Sequence, residues 1–184
     1  MALGYVRPAR AADAADIGRI QLTTWRAAYD RIVPESVLSE LDEAWLAEQW
    51  EPACAQPPSP AHRVFVAIEQ AESDPSRIHT IGFAAVEPDP DDATAGTMTE
   101  LLVEPRFGRR GHGSRLLAAA VAHWREHGVS TASAWAFTRD SATLAFYKSA
   151  GWAPDGVRRT LDMAGTAVPQ LRLHTNLDGA DTEE

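Results

Sequence analysis

The chain of 184 residues is 45% hydrophobic and 23% charged, which is the balance of one globular domain and excludes a disordered chain. Its formal net charge of −9 argues against nonspecific nucleic-acid binding and mildly favours a cationic small-molecule partner. No run of about 18 apolar residues is present, and the N-terminal segment lacks the apolar stretch of a signal peptide, so we expect no membrane span and a cytoplasmic location.

The first part of the chain is predicted to form a short strand at residues 5–10 and then an amphipathic helix over residues 12–32. Apolar side chains recur there at helical spacing, and Asp13 is a plausible N-cap. Within this helix Trp25 and Tyr29 are the candidate residues for a substrate wall, although helical spacing first favours packing for Trp25.

Two further helices are predicted at residues 34–41 and 42–50, and the spacing of Trp45 and Trp50 places both tryptophans in packing positions. The proline-rich segment 51–60 is predicted to be free of helix. It contains the only cysteine, Cys54, which we expect to be an inert thiol in a loop.

Three strands are predicted next, at residues 62–69, 78–86 and 97–105, because β-branched and apolar residues alternate there. The first link, residues 71–77, has the composition of a turn, and the second, residues 87–96, that of an acidic, proline-rich loop. Short links of this kind predict an antiparallel meander.

The second half is predicted to alternate helix, strand and helix, with the first helix ending near Gly128 and the second near Gly151. A strand, helix and strand in succession are expected to be parallel, so the sheet should be mixed. Two final strands are predicted within residues 152–177, and residues 178–184 form an acidic tail. The prediction is therefore one domain, residues 1–177, and a tail, residues 178–184.

A glycine-rich segment, PRFGRRGHGSRLL, joins the third strand of the meander to a helix. Four arginines and no acidic residue lie between Arg106 and Arg115, and unpaired amides at a helix N-terminus attract anions. The segment does not match the Walker pattern, because the lysine of that pattern is missing. It does not match the dinucleotide pattern either, because Leu116 takes the place of the third glycine. The glycines therefore predict space for phosphate oxygens of another ligand.

The residues Val103-Glu104-Pro105 followed by Gly108-Arg109-Arg110-Gly111-His112-Gly113 resemble the signature of the GNAT superfamily of N-acetyltransferases, V-x-P and then [QR]-x-x-G-x-[GA]. Gly108 stands where that family usually has Gln or Arg. The resemblance implies that backbone N–H groups of Arg109, Arg110, Gly111, His112, Gly113 and Ser114 hold the pyrophosphate of acetyl-CoA, and main-chain donors do not depend on the side chain at position 108.

A second likeness lies on the next predicted helix, where family members carry N-x-x-A-x-x-F-Y-x-x-x-G-[FW]. Phe146, Tyr147, Gly151 and Trp152 match this pattern. Asp140 replaces the usual Asn and Thr143 the usual Ala, so the pantetheine contact that the resemblance gives to position 140 would fall to a carboxylate.

The resemblance implies an α/β (α+β) fold with a mixed, mostly antiparallel sheet of about six to seven strands, flanked by helices, in which a splayed strand pair holds the cofactor. Acetyl-CoA is the expected co-substrate, a primary amine the acceptor, and no metal or nucleic acid is expected. The pantetheine arm should lie along Leu101, Leu102 and Val103, with Phe146 and Asp140 as further contacts. Tyr147 would protonate the leaving thiolate, and Glu100 is the candidate base, unless strand alternation turns it away from the cleft. The resemblance also suggests a bacterial protein and a homodimer.

Two alternatives remain open. The residues HWREH, from His123 to His127, match a zinc-binding pattern, but without an assigned third ligand they are interpreted as the end of a helix. The departures at Gly108 and Asp140 also allow a non-catalytic acyl-CoA-binding sensor with the same fold.

Overall fold

Seven strands form one mixed sheet in the computed structural model, which describes residues 3–71 and 74–178. The strands are β1 (Leu3–Pro8), β2 (Arg63–Ala71), β3 (Asp74–Pro88), β4 (Ala95–Val103), β5 (Thr131–Phe137), β6 (Ala153–Met163) and β7 (Thr166–Asn176). Their spatial order is β1-β2-β3-β4-β5-β7-β6, and only the β4–β5 pair is parallel. The predicted meander and mixed sheet are therefore confirmed.

Five α-helices of the described residues accompany the sheet: α1 (Ala14–Ala28), α2 (Glu35–Glu40), α3 (Glu43–Ala55), α4 (His112–Glu126) and α5 (Ser141–Ser149). Strand alternation sends Val66 and Ile68 of β2 towards α1 and α3, and Phe65 and Ala67 towards α4. The sheet is thus covered by helices on both faces. None of the helices in the described part of the chain combines the length and apolar character needed to cross a membrane.

Several predicted details are wrong in the N-terminal half. Asp13 does not cap α1 with its side chain, because its carboxylate accepts hydrogen bonds from Arg7 at 2.7 and 2.8 Å and from the Arg10 amide at 2.7 Å. The hydrogen bonds from Arg7 also lower the pKa of Asp13. Trp45 is 51% exposed and is not a packing residue, whereas Trp50 packs edge-on against Phe83.

The helix α3 continues through Pro52 to Ala55, so the segment 51–60 is not free of helix. Proline removes one backbone donor, and this loss is offset here by packing, since α3 lies close against α1 at Gly18. A Cβ on Gly18 would lie 2.8 Å from the Ala47 nitrogen. Cys54 is consequently a buried helical residue, and burial raises the pKa of its thiol to about 11.

Two predicted segments fall partly outside the described residues. Of the turn expected at residues 71–77, Ala71 belongs to β2 and residues 74–77 belong to β3, while residues 72–73 lie outside the described residues. The acidic tail beyond Asp178 also lies outside the described residues.

The parallel pair β4–β5 divides along its length, and this division positions the site. The two strands pair from Ala95 with Thr131 to Met98 with Ala134 and have no paired residues beyond that point. The later residues of β4 and β5 therefore leave backbone groups unpaired and open a gap in the middle of the sheet, as a splayed strand pair should.

Candidate active site

Two cavities lie on opposite sides of this gap, and Thr143 lines both. The first, here called the loop groove, has a volume of about 360 Å³. It is lined by Leu101, Val103, Phe107, Gly108, Arg109, Gly111, His112, Gly113, Ser114, Ala142, Thr143, Phe146 and Tyr147. The second, here called the aromatic cavity, has a volume of about 370 Å³. It is lined by Trp25, Tyr29, Glu87, Thr97, Met98, Thr99, Glu100, Trp135, Ala136, Phe137, Asp140, Thr143, Arg159, Leu161 and Gln170.

The wall of the loop groove contains the N-terminus of α4. Gly111 precedes the helix with φ of 80°, a left-handed conformation that favours glycine, and Arg109 adopts φ of 61°. The Arg115 amide bonds to the Gly111 carbonyl at 3.1 Å, while the amides of His112, Gly113 and Ser114 have no backbone acceptor among the described residues. Three donors at the positive end of a helix dipole therefore face an open groove.

The arginines of this loop are less available to an anionic ligand than the sequence suggests. Arg106 forms an ion pair with Glu104, and Arg110 pairs with Glu69 at 3.0 Å. Glu104 directly precedes the loop in the chain, whereas Glu69 comes from β2, which sequence spacing could not place beside the loop. Arg109 has no ion pair within residues 3–71 and 74–178, and Arg115 donates to the Arg110 carbonyl at 3.2 Å. Two of the four guanidinium groups thus keep their charge unpaired.

A contact between His112 and Glu69 holds the loop against β2. The imidazole of His112 is buried, and its Nε2 lies 3.0 Å from a Glu69 carboxylate oxygen. Because the side chain faces inwards, the group that His112 offers to the groove is its backbone amide.

A β-bulge in β4 interrupts the alternation of its side chains. Ala85 of β3 pairs with Glu100 and Val86 with Met98, so Thr99 is an extra residue in the ladder. Met98 and Leu101 consequently lie on the same face of the sheet although they are an odd number of residues apart. Glu100 pairs with Ala85 in regular register with Leu102, so alternation places its side chain on the α1 face, where it lines the aromatic cavity.

The backbone donors in β4 alternate between the two neighbouring strands. The Glu104 amide bonds to the Ile81 carbonyl of β3 at 2.8 Å, so the Leu102 amide also points towards β3. The amides of Leu101 and Val103 then point into the gap, and their side chains line the loop groove. The side chain of Leu102 is buried on the opposite face, in the core beneath α1, and its contact with the pantetheine arm stays a prediction.

Tyr147 and Glu100 lie close to each other across the gap. Tyr147 is only 4% exposed, packs against Trp152 at 4.9 Å between ring centroids and lines the loop groove beside Phe146. Burial raises the pKa of the Tyr147 hydroxyl, and the charge of Glu100 raises it further. Burial also raises the pKa of Glu100 to about 8, although its side chain keeps some surface on the cavity.

The predicted substrate residues Trp25 and Tyr29 both line the aromatic cavity, where they form an edge-on cluster with Phe137. Burial raises the pKa of the Tyr29 hydroxyl, with a further contribution from the Asp140 carboxylate. Asp140 itself caps α5 by accepting from the Thr143 amide at 3.0 Å. It lines the aromatic cavity and not the loop groove, and its contact with the cofactor stays a prediction.

Other residues of the aromatic cavity were missed from the sequence, namely Glu87, Trp135, Thr143, Arg159 and Gln170. Trp135 and Phe137 occupy alternate positions of a predicted strand, which indicated a shared face. The strand order places β7 and then β6 beside β5. A single sequence contains no comparable signal for that order.

The zinc-like pattern lies at the end of α4, where candidate ligand atoms of His123, Glu126 and His127 lie within 4.8 Å of one another. One nitrogen of each histidine is already engaged. His123 Nε2 lies 3.1 Å from the Ala61 carbonyl, and His127 Nδ1 lies 2.8 Å from the His123 carbonyl. These contacts are those of a helix end held against the strand β2.

Comparisons with known proteins point in one direction. The family model for the acetyltransferase (GNAT) domain matches residues 60–154, which span β2 to α5 and contain the whole loop groove. The uncharacterized N-acetyltransferase YuaI of Bacillus subtilis is 24% identical over 171 residues, or 91% of this chain and 90% of YuaI.

Two solved structures share the fold. The PaiA N-acetyltransferase from Thermoplasma acidophilum, in complex with coenzyme A, has a TM-score of 0.69 at 16% identity, over 95% of this chain and 99% of that one. The ribosomal-protein-alanine N-acetyltransferase from Brucella melitensis has a TM-score of 0.69 at 19% identity, over 93% and 98%.

Proposed function

This chain belongs to the GNAT acetyltransferase family, and on that premise we propose that it transfers the acetyl group of acetyl-CoA directly to a primary amine of a small molecule, a peptide or a protein. The observation that carries the proposal is the pair of cavities that meet at the β4–β5 gap, with Glu100 on one side and Tyr147 on the other. One cavity would hold the acyl donor and the other the amine.

The loop groove suits coenzyme A. The free amides of His112, Gly113 and Ser114 would hold the diphosphate, and the groove leaves the unpaired Arg109 close by. A Cβ on Gly113 would come within 3.3 Å of the Phe146 ring, so glycine keeps this wall open. The amides of Leu101 and Val103 would pair with the pantetheine arm as an added strand does, and one of them could bond to the acyl oxygen.

Acetyl-CoA would supply a thioester that a neutral amine attacks. An amine with pKa about 10.4 is neutral to only about one part in a thousand at pH 7.4, a handicap of roughly 4 kcal/mol, whereas an α-amine near 7.8 loses less than about 1 kcal/mol. A base beside the acceptor is therefore valuable. Glu100, with its pKa raised by burial to about 8, would take this proton and pass it to solvent.

Tyr147 would protonate the thiolate as it leaves. Its raised pKa keeps the phenol protonated in the resting protein, and the charge of Glu100 strengthens that effect. Once Glu100 has taken a proton, this repulsion disappears and Tyr147 releases its own proton more readily. The second proton lost by the acceptor nitrogen would then restore the phenol, so that the protons balance.

Release of free thiol from acetyl-CoA in the presence of a panel of amines tests this proposal. We expect thiol release that depends on the amine, together with an acetylated product detected by mass spectrometry. A protein that binds acetyl-CoA but gives no amine-dependent thiol would instead be the acyl-CoA sensor. The retained Tyr147 beside Glu100 favours the enzyme, because a sensor needs neither group.

A further inference from the structure

The aromatic cavity contains one arginine, and two contacts hold its side chain in place. The guanidinium group stacks on an aromatic ring, and the Nε atom donates a hydrogen bond. The guanidinium carbon of Arg159 lies 4.2 Å from the centroid of the Trp135 ring, and its Nε donates to Gln170 Oε1 at 2.7 Å. Gln170 is buried, and it lies between Arg159 on β6 and Phe137 on β5 in the strand ladders. Stacking and hydrogen bonding thus fix the plane of the guanidinium group.

Arg159 has no carboxylate partner among the described residues, in contrast to Arg172 on the adjacent strand, which pairs with Asp155 at 2.7 Å. The two terminal nitrogens of Arg159 accordingly keep donors available to a ligand. Desolvation lowers the pKa of Arg159, as expected for a cation without a nearby anion. A planar guanidinium with free terminal donors matches a carboxylate in geometry and charge.

The acidic Glu100 and the basic Arg159 lie far apart in the aromatic cavity. Glu100 lies on β4 at the gap, whereas Arg159 lies on β6 at the edge of the sheet, and three strand spacings, roughly 14 Å, separate the two strand axes. Asp140 is engaged in capping α5. Glu87, the remaining acid of this cavity, is exposed. An acceptor could therefore place its amine at Glu100 while an anionic group reaches the opposite wall.

We propose that Arg159 is the specificity-determining residue of the acceptor cavity and that it selects amines carrying a carboxylate several bonds from the nitrogen. This inference rests on the proposed acetyl transfer, because that reaction identifies the amine as the end of the acceptor that lies at Glu100. It also departs from the expectation of a cationic partner, because a net charge describes the whole surface and not the lining of one cavity.

The test is calorimetric titration with matched ligand pairs. The amino acids are β-alanine, γ-aminobutyrate and ε-aminocaproate, and their partners without the carboxylate are ethylamine, propylamine and pentylamine. We expect at least one amino acid to bind tenfold or more tightly than its amine partner. In Arg159→Gln this preference should fall to about onefold, and in Arg159→Lys, which keeps the charge without the fork, it should be intermediate.

The matched control is Arg158→Gln, which removes the same charge one residue earlier on β6, where alternation turns the side chain to the other face. This variant should keep the full preference, and equal urea midpoints for the two Gln variants would show that both are folded. Equal binding of every pair by the wild-type protein, or a preference that survives in Arg159→Gln, would overturn the inference. Thiol release is measured separately, so a carboxylate preference without any acetyl transfer would count against the proposed function and not against the role of Arg159.

Discussion

The substitution Glu100→Gln tests the proton path at the gap. Burial raises the pKa of Glu100 to about 8, so only about one tenth of the protein carries the carboxylate at pH 7 and about nine tenths at pH 9. If the anion accepts the proton of the acceptor amine, kcat/KM should rise about tenfold between these two pH values.

The assay measures thiol release over this pH range with an amine of pKa about 10.4, which stays almost wholly protonated throughout and therefore needs the base. Glu100→Gln should lower kcat/KM for this amine at pH 8 by about 10²-fold, which is the usual contribution of a general base, but should change it little for trifluoroethylamine, which is already neutral. Glu87→Gln, which removes another acid of the same cavity, should retain the activity with both amines. A wild-type profile that is flat between these limits, or a Glu100→Gln variant that keeps the wild-type rate with the protonated amine, would refute the role given to Glu100.

Three further predictions follow from the same contacts. Because the folded protein holds a proton on Glu100 up to a pKa of about 8 while the unfolded chain loses it near 4.5, unfolding free energy should fall by on the order of 4 kcal/mol from pH 5 to pH 9, and urea titrations of Glu100→Gln should show a smaller fall. Tyr147→Phe should lower kcat by about 10²- to 10⁴-fold with little change in coenzyme A affinity; an unchanged rate would remove Tyr147 from the mechanism. Gly113→Val, whose Cβ would lie 3.3 Å from the Phe146 ring, should weaken coenzyme A binding at least tenfold by calorimetry, and an unaltered affinity would show that the ligand does not use this wall.

The elements of the fold were predictable because each one repeats a local rule. Alternating apolar residues identified β2, β3 and β4, and helical spacing followed by Gly128 and Gly151 identified α4 and α5. The helix α3 was predicted too short because a proline normally ends a helix, and only tertiary packing of α3 against α1 offsets that local preference.

The loop groove was also accessible from the sequence, since its donors are backbone amides whose positions follow from a strand, a glycine-rich loop and a helix. The direction of Glu100 was not accessible. Alternation puts Glu100 on the same face of β4 as Leu102, but it does not show which face meets the acceptor cavity.

The acceptor cavity was the least predictable part because its residues come from distant segments. Arg159 on β6 contacts Trp135 on β5 across β7, which lies between these two strands in the sheet. The same limit applies to Glu69, which neutralises Arg110 from a strand 41 residues earlier in the chain. Such pairs are set by strand order, which the periodicity of a single segment does not encode.

The central claim is that the main-chain amides at the start of α4 hold the diphosphate of coenzyme A. Calorimetric comparison of pantetheine 4′-phosphate with pantetheine, which differ only in one phosphate at the position of the diphosphate, tests this most directly. Binding of the phosphate that is at least 10²-fold tighter than that of pantetheine would be consistent with two or more charge-assisted hydrogen bonds to the amides. Equal affinity for the two ligands, or no heat with coenzyme A, would contradict it.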